Sequence, residues 1–206
     1  KRHQKISVNC EYDEIALLKT TVKVLKEELY GIVSQETGSI IVPREYQEII
    51  DVSEYNKQRY FVRKDNKWGV FCNGELIIPT IYEGINVIQQ DSYIERYFPL
   101  ETDIYKAKVN GLWGLVDSHN TMLIPFEYQA IELNETNDGY GCNHIVRFYL
   151  VQSHILLGAY DSGFKKICDC QYGSIKFNED WYDPMLLTYK DQREYRYKID
   201  LMCKNE

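Results

Sequence analysis

The 206 residues carry 24 Lys plus Arg against 31 Asp plus Glu, a formal charge of −7, which excludes a phosphate-backbone binder built on clustered cations. With 44% hydrophobic residues the chain can bury a sizeable core, and 18 Tyr against 7 Phe lean it toward strands. No stretch approaches the ~18 consecutive apolar residues of a membrane-spanning helix, and Lys1 to Cys10 contains no signal-peptide core.

Taken in chain order, Ile6 to Tyr12 reads as a strand, because ISVNCEY lines up residue for residue with LIIPTIY, Leu76 to Tyr82. The region Glu11 to Glu28, with ALLKTTVKVLKEEL, imitates a helix, but the repeat register predicts a strand at Val22 to Lys26. Phe61 to Lys64 alternates as a strand, Asp65-Asn66 can adopt positive φ, and Trp68 to Phe71 returns antiparallel. Asn73-Gly74 makes the next tight turn into Glu75 to Ile78, and Pro79 is expected to end that strand because it has no N–H to donate. Asn110-Gly111 is a strong hairpin signal ahead of Trp113-Gly114. Met185 to Asp200 resembles the FVRKDNKWGVF hairpin, with Tyr195 near the Trp place, and then stops short of a strand like Glu75 to Ile78.

Aligned on Tyr-x-x-Ile, the chain shows five registers: Tyr12/Ile15, Tyr46/Ile49, Tyr82/Ile85, Tyr128/Ile131 and Tyr172/Ile175. Pro43, Pro79 and Pro125 stand three residues before three of these Tyr, with Asn9 and Asp169 in that place elsewhere. Fourteen to sixteen residues before the last four Tyr come Tyr30-Gly31, Trp68-Gly69, Trp113-Gly114 and Leu157-Gly158. A period of 34 to 46 residues means stacked supersecondary units, each a three-stranded meander plus a short Tyr-x-x-Ile strand. Trp68 and Trp113 read as core residues supplying apolar area, and the adjacent Gly removes a Cβ where a ring or backbone must come close.

This pattern resembles the WG (KWG) repeat, a bacterial β-repeat family, over nearly the whole chain. Trp68-Gly69 and Trp113-Gly114 are close copies, Tyr30-Gly31 is degenerate and Leu157-Gly158 more so. The resemblance implies a repeat scaffold and brings no catalytic residue with it. The expected fold is all-β, a single domain over 1–206 with units at about 12–45, 46–81, 82–127, 128–171 and 172–206. A propeller-like closed ring of five β-meander units is favoured, residues 1–11 completing the last unit, because the spare N-terminal strand matches the missing C-terminal one. An open solenoid of β-hairpins is the alternative.

The variable part of each unit is the connection from Tyr-x-x-Ile to the next hairpin: Asn86 to Asp103, Glu132 to His144 and Lys176 to Pro184 are the long ones. Insertions at one place in every repeat project from one face, often the binding face. Their aromatics, Tyr93, Tyr97, Phe98, Tyr140, Trp181 and Tyr182, are therefore the candidate contacts for a protein partner or a glycan. The bland reading is that they pack down over the scaffold. His119, His144 and His154 read as structural or solvated, and Glu27-Glu28 and Glu179-Asp180 as solvated turn charges. The six Cys include no C-x-x-C, and Cys168-Asp169-Cys170 lacks a second pair to complete a metal tetrahedron. No phosphate loop, nucleophile elbow or His-Glu metal motif is present, and the Asn134-Glu135-Thr136 sequon is a triplet that arises by chance. No cofactor or metal is expected. The function expected is a non-catalytic scaffold for protein partners, then a carbohydrate-binding module of a surface protein, and last an enzyme with a carboxylate-lined central pocket. A start at Lys1 reads as a processed or excised piece, leaving cytoplasm and cell envelope both open.

Overall fold

The computed structural model describes residues 11–54, 57–88, 103–137, 145–177, 185–189 and 194–197, and every regular element among them is a β-strand. The first sheet runs β1 (Glu14–Leu17), β2 (Thr21–Lys26), β3 (Leu29–Ser34), β4 (Ile40–Tyr46). The second runs β5 (Glu48–Asp51), β6 (Arg59–Lys64), β7 (Lys67–Cys72), β8 (Glu75–Tyr82). The third runs β9 (Gly84–Val87), β10 (Ile104–Val109), β11 (Leu112–Asp117), β12 (Met122–Tyr128). The fourth has six strands: β13 (Ala130–Asn137), β14 (Ile145–Ser153), β15 (Leu156–Asp161), β16 (Lys166–Phe177), β17 (Met185–Tyr189) and β18 (Glu194–Tyr197). Strands in each sheet follow chain order as an up-and-down meander, and none of these sheets closes into a barrel.

Helical appearance in Glu11 to Glu28 gives way to β2, where Val22 and Val24 are buried and Lys23 is half-buried, a period of two. The hairpin turns use the expected left-handed backbone: Asp65 and Asn66 lie at φ 51° and 59°, Asn110 and Gly111 at 49° and 79°. Glu27 and Glu28 occupy the matching turn of the first sheet at φ 52° and 63°, where neither side chain favours that conformation.

Proline does not end the fourth strand of a sheet. Pro43, Pro79 and Pro125 lie inside β4, β8 and β12, each at the outer strand of its sheet and within a bulge. An edge strand can tolerate a missing donor at a bulge, which is the physical reason the strand continues. In the second sheet Val70 pairs with Ile78 and Trp68 with Tyr82, so Gly69 alone opposes Pro79, Thr80 and Ile81. Gly31, Gly114 and Gly158 each oppose three residues in the same way. A Cβ on Gly69 would lie 2.5 Å from the Ile78 carbonyl oxygen and 2.9 Å from Pro79 C, so the bulged backbone sits where a side chain would otherwise be. The fourth copy keeps this joint with Asp169 in the proline place.

Tyr-x-x-Ile is the seam between sheets: Tyr46, Tyr82 and Tyr128 close one sheet, while Ile49, Ile85 and Ile131 lie in the first strand of the next. At Tyr172 and Ile175 the seam does not break, and β16 runs straight through it, which joins β17 and β18 to the fourth sheet. Ile49, Ile85, Ile131 and Ile175 are buried, whereas Ile15 is 47% exposed.

Two compact units divide the chain, Lys1–Ile85 with Ser118–Asn120, and Asn86–Asp117 with Thr121–Glu206. In the first, Ile32, Val42 and Tyr46 of the first sheet pack on Tyr60, Val62 and Phe71 of the second. The Tyr46 and Phe71 rings meet edge to face at 5.8 Å. In the second unit, Ile104, Leu115 and Tyr128 pack on Tyr149, Val151 and Tyr160. There the Tyr128 and Tyr160 rings meet edge to face and their hydroxyls hydrogen-bond at 2.7 Å.

Candidate functional site at the connection end of the first unit

Alternating strand direction puts the β1–β2 turn, the β5–β6 connection and the β7–β8 turn at one end of their sheets. By the same strand order it is the end at which the chain leaves β9 and β13 and enters β10 and β14. Tyr93, Tyr97, Phe98, Tyr140, Trp181 and Tyr182 lie outside the described residues. What the structure does describe at this end is a cavity of about 550 Å³ where the first two sheets meet.

Its floor is the buried hydroxyl pair Thr21 Oγ1 and Tyr60 OH, 3.0 Å apart. Burial raises the Tyr60 pKa, so the phenol stays neutral and able to donate. One wall is Lys19 and Thr20 from the β1–β2 turn, both exposed. The opposite wall is made by Asp51, Ser53, Glu54, Lys57 and Gln58, at the end of β5 and in the described part of the β5–β6 connection. Local bonds hold this wall in shape. Asp51 Oδ1 accepts from Ser53 N at 3.0 Å, and Ser53 Oγ accepts from Arg59 N at 3.0 Å. Glu54 and Lys57 exchange backbone hydrogen bonds of 3.0 and 3.2 Å. Asn73 closes the rim, its Oδ1 accepting from Gln58 N at 3.2 Å and its N donating to Gln58 O at 2.9 Å. Behind the wall, Arg59 is 1% exposed and reaches Glu54 at 3.4 Å.

The repeat motif residues sit elsewhere. Trp68 and Trp113 are half-buried, Trp113 packing against the core of its unit, and each stands across its bulge from Tyr82 or Tyr128. Arg63 lies 5.7 Å from the Trp68 ring centre, and Lys106 and Lys108 lie 5.1 and 5.5 Å from that of Trp113. The half-burial follows from their place on the strand next to the edge, with a long cation covering the outer ring face. Tyr30 is likewise half-buried, with Lys23 at 4.2 Å. Lys23 Nζ also donates to Ile49 O at 2.8 Å, and Lys106 Nζ to Ile131 O at 3.4 Å, tying each sheet to the first strand of the next. Burial lowers the Lys23 pKa, with nearby Glu48 opposing. Sequence reasoning missed this tie, although a Lys seven residues before both Tyr30 and Trp113 was there to be aligned.

His119 and His154 lie at exposed turn positions, and Asn134 is paired with Phe148 in mid-strand. Burial pushes the Cys168 thiol up to about 11, the opposite of a reactive cysteine. Among the described residues no group of three or more His, Cys, Asp or Glu could hold a metal ion, and no helix is long and apolar enough to cross a membrane.

Two of the four glycine-over-bulge joints, those of Gly31 and Gly114, lie in stretches that match a known sequence family. The family model described as "WG containing repeat" matches residues 30–68 and 113–141. Those two stretches are WG repeats. The two WG-repeat matches begin at the aromatic partners of the first and third joints, Tyr30 and Trp113. No curated protein matches the chain. A solved structure titled "Crystal structure of the eukaryotic initiation factor" is similar at a TM-score of 0.42 and 10% identity, over 94% of this chain and 53% of that one. The chain thus spans about half the length of that structure.

Proposed function

We propose that this chain is a non-catalytic WG-repeat scaffold that binds a protein partner through the connection end of its sheets. One observation supports the reading. The recurrent residues, Gly69 with its bulge and Tyr82 at the seam, are used in joining strands and sheets, while the cavity of the first unit is lined in part by connection residues that differ between copies, such as Lys19, Thr20 and Gln58. Binding faces of repeat proteins are built this way, with shared positions making the frame and unshared ones the contacts. The test is capture with the purified chain, comparing the wild type with a variant carrying Lys19→Ala, Thr20→Ala and Gln58→Ala. A partner retained equally by both, with contacts mapped to the hairpin-turn end, would sink the reading.

A carbohydrate ligand is the second reading, favoured by the hydrogen-bonding side chains of Thr20, Gln58 and Asn73 among the residues that line the cavity. Closure into a five-unit ring belongs to the same proposal. The same joint in four successive sheets supports a regular array, and a disc and a row give distinct small-angle scattering profiles.

A further inference from the structure

We infer that the cavity between the first two sheets is a binding site for a neutral, polyhydroxylated ligand, a sugar unit of a glycan. This rests on the reading of the connection end as the binding end. Charge narrows the class first. Both signs of charge line one cavity, the ammonium groups of Lys19 and Lys57 and the carboxylates of Asp51 and Glu54, the last also paired with Arg59. An anion would meet Asp51 and Glu54, and a cation would meet Lys19 and Lys57, so either forfeits in repulsion much of what it gains. A hydroxyl has no such conflict, because it donates to a carboxylate and accepts from an ammonium.

Hydrogen-bond capacity narrows it further. The cavity presents the amide groups of Gln58 and Asn73, which donate and accept, and the hydroxyl of Thr20, while Ser53 Oγ is already bonded to Arg59 and Tyr60 OH to Thr21. An apolar guest would leave these groups desolvated and unmatched, the strongest basis for rejection a polar site has. A ring bearing several hydroxyls matches them in either direction. About 550 Å³ has room for more than one such ring. Preorganisation also fits: Asp51, Ser53, Glu54 and Asn73 are held by local hydrogen bonds before any ligand arrives.

The probe is an array of neutral, sialylated and sulfated glycans. It is followed by titration calorimetry of the strongest neutral glycan, inorganic phosphate and free glycine against the whole chain. Binding to neutral glycans, with phosphate and glycine silent, is expected. Lys19→Ala and Gln58→Ala should each weaken that binding at least fivefold, with urea midpoints unchanged because neither side chain supports the fold. Absence of any bound neutral glycan overturns the inference, as does preference for sulfated or sialylated glycans or indifference to both substitutions. Protein capture that depends on Lys19 and Gln58 while no glycan binds would overturn it and leave the scaffold reading standing.

Discussion

Replacing Gly69 by Ala tests the joint on which the repeat depends. A Cβ there would sit 2.5 Å from Ile78 O, 2.9 Å from Pro79 C and 2.9 Å from Thr80 N, all backbone atoms of β8. To restore ordinary contact the bulge must retreat by about 0.9 Å, and overpacking of this kind costs about 3 kcal/mol, the upper end of the usual range. Alanine returns roughly 0.5–1 kcal/mol of the entropy that glycine loses in a strand, leaving a net cost of about 2–2.5 kcal/mol. Gly31 occupies the same joint of the first sheet with nearest atoms at 3.1, 3.1 and 3.2 Å, so Gly31→Ala meets only a slight clash. Its cost and its entropic gain nearly cancel, so it should be close to neutral, within about 0.5 kcal/mol. Both glycines belong to the first unit, so one transition reports both. Urea unfolding followed by Trp68 fluorescence, in a Trp113→Phe/Trp181→Phe background, should separate the two midpoints by about 1 M at a slope of ~2 kcal/mol/M. Pro79→Ala should lose no more than about 1 kcal/mol, through the unfolded chain, because Asp169 holds the same bulge without a proline. Coincident midpoints for Gly69→Ala and Gly31→Ala, or a larger loss from Pro79→Ala, would refute the role given to the glycine.

Glu27→Asn with Glu28→Gly should stabilise the first unit by about 1–2 kcal/mol, since both glutamates hold left-handed backbone at φ 52° and 63°; a lower urea midpoint would contradict this. Tyr149 is buried, its hydroxyl has no hydrogen-bond partner among the described residues, and burial pushes its pKa up to about 12. Its neutral form is favoured in the fold, so its contribution is full below pH ~10 and is lost between pH ~10 and ~12, about 2–3 kcal/mol in all. Tyr149→Phe should therefore be neutral or stabilising at pH 7 and should flatten the alkaline limb of a stability-against-pH curve, with an unchanged limb as the contrary result. Glu135→Gln should cost about 2–3 kcal/mol by calorimetry, because it breaks the 2.8 Å pair with Arg147 while leaving that guanidinium only 16% exposed.

The frame was legible because it repeats. Spacing alone placed β2 against its helical look, set Asp65-Asn66 and Asn110-Gly111 at hairpin turns, and linked each Gly to a close backbone. Spacing misled where one residue type has two uses. Pro79 looked like a strand end because a missing donor is costly inside a sheet, but an edge bulge removes that cost. It also treated five Tyr-x-x-Ile copies alike, although Ile15 is largely exposed and its four counterparts are buried. A side chain's burial at such a seam depends on the preceding sheet, which no local pattern records.

The cavity was harder to read, since its residues come from the segments that do not repeat and meet only because two sheets stack. One signal nevertheless pointed to it. Thr21, Arg59, Ile104 and Phe148 share a register in the second strand of each sheet, the first three at its start, and all four are at most 3% exposed. Placing a guanidinium at a register that otherwise buries Thr, Ile or Phe is unfavourable unless hydrogen bonds and a counter-charge offset it. Those partners must come from nearby irregular chain, here Glu54 in the β5–β6 connection, whose backbone Ser53 Oγ ties back to Arg59. A lone charge at a core register therefore signals a connection folded back onto its sheet. That folded-back connection is the wall of the cavity.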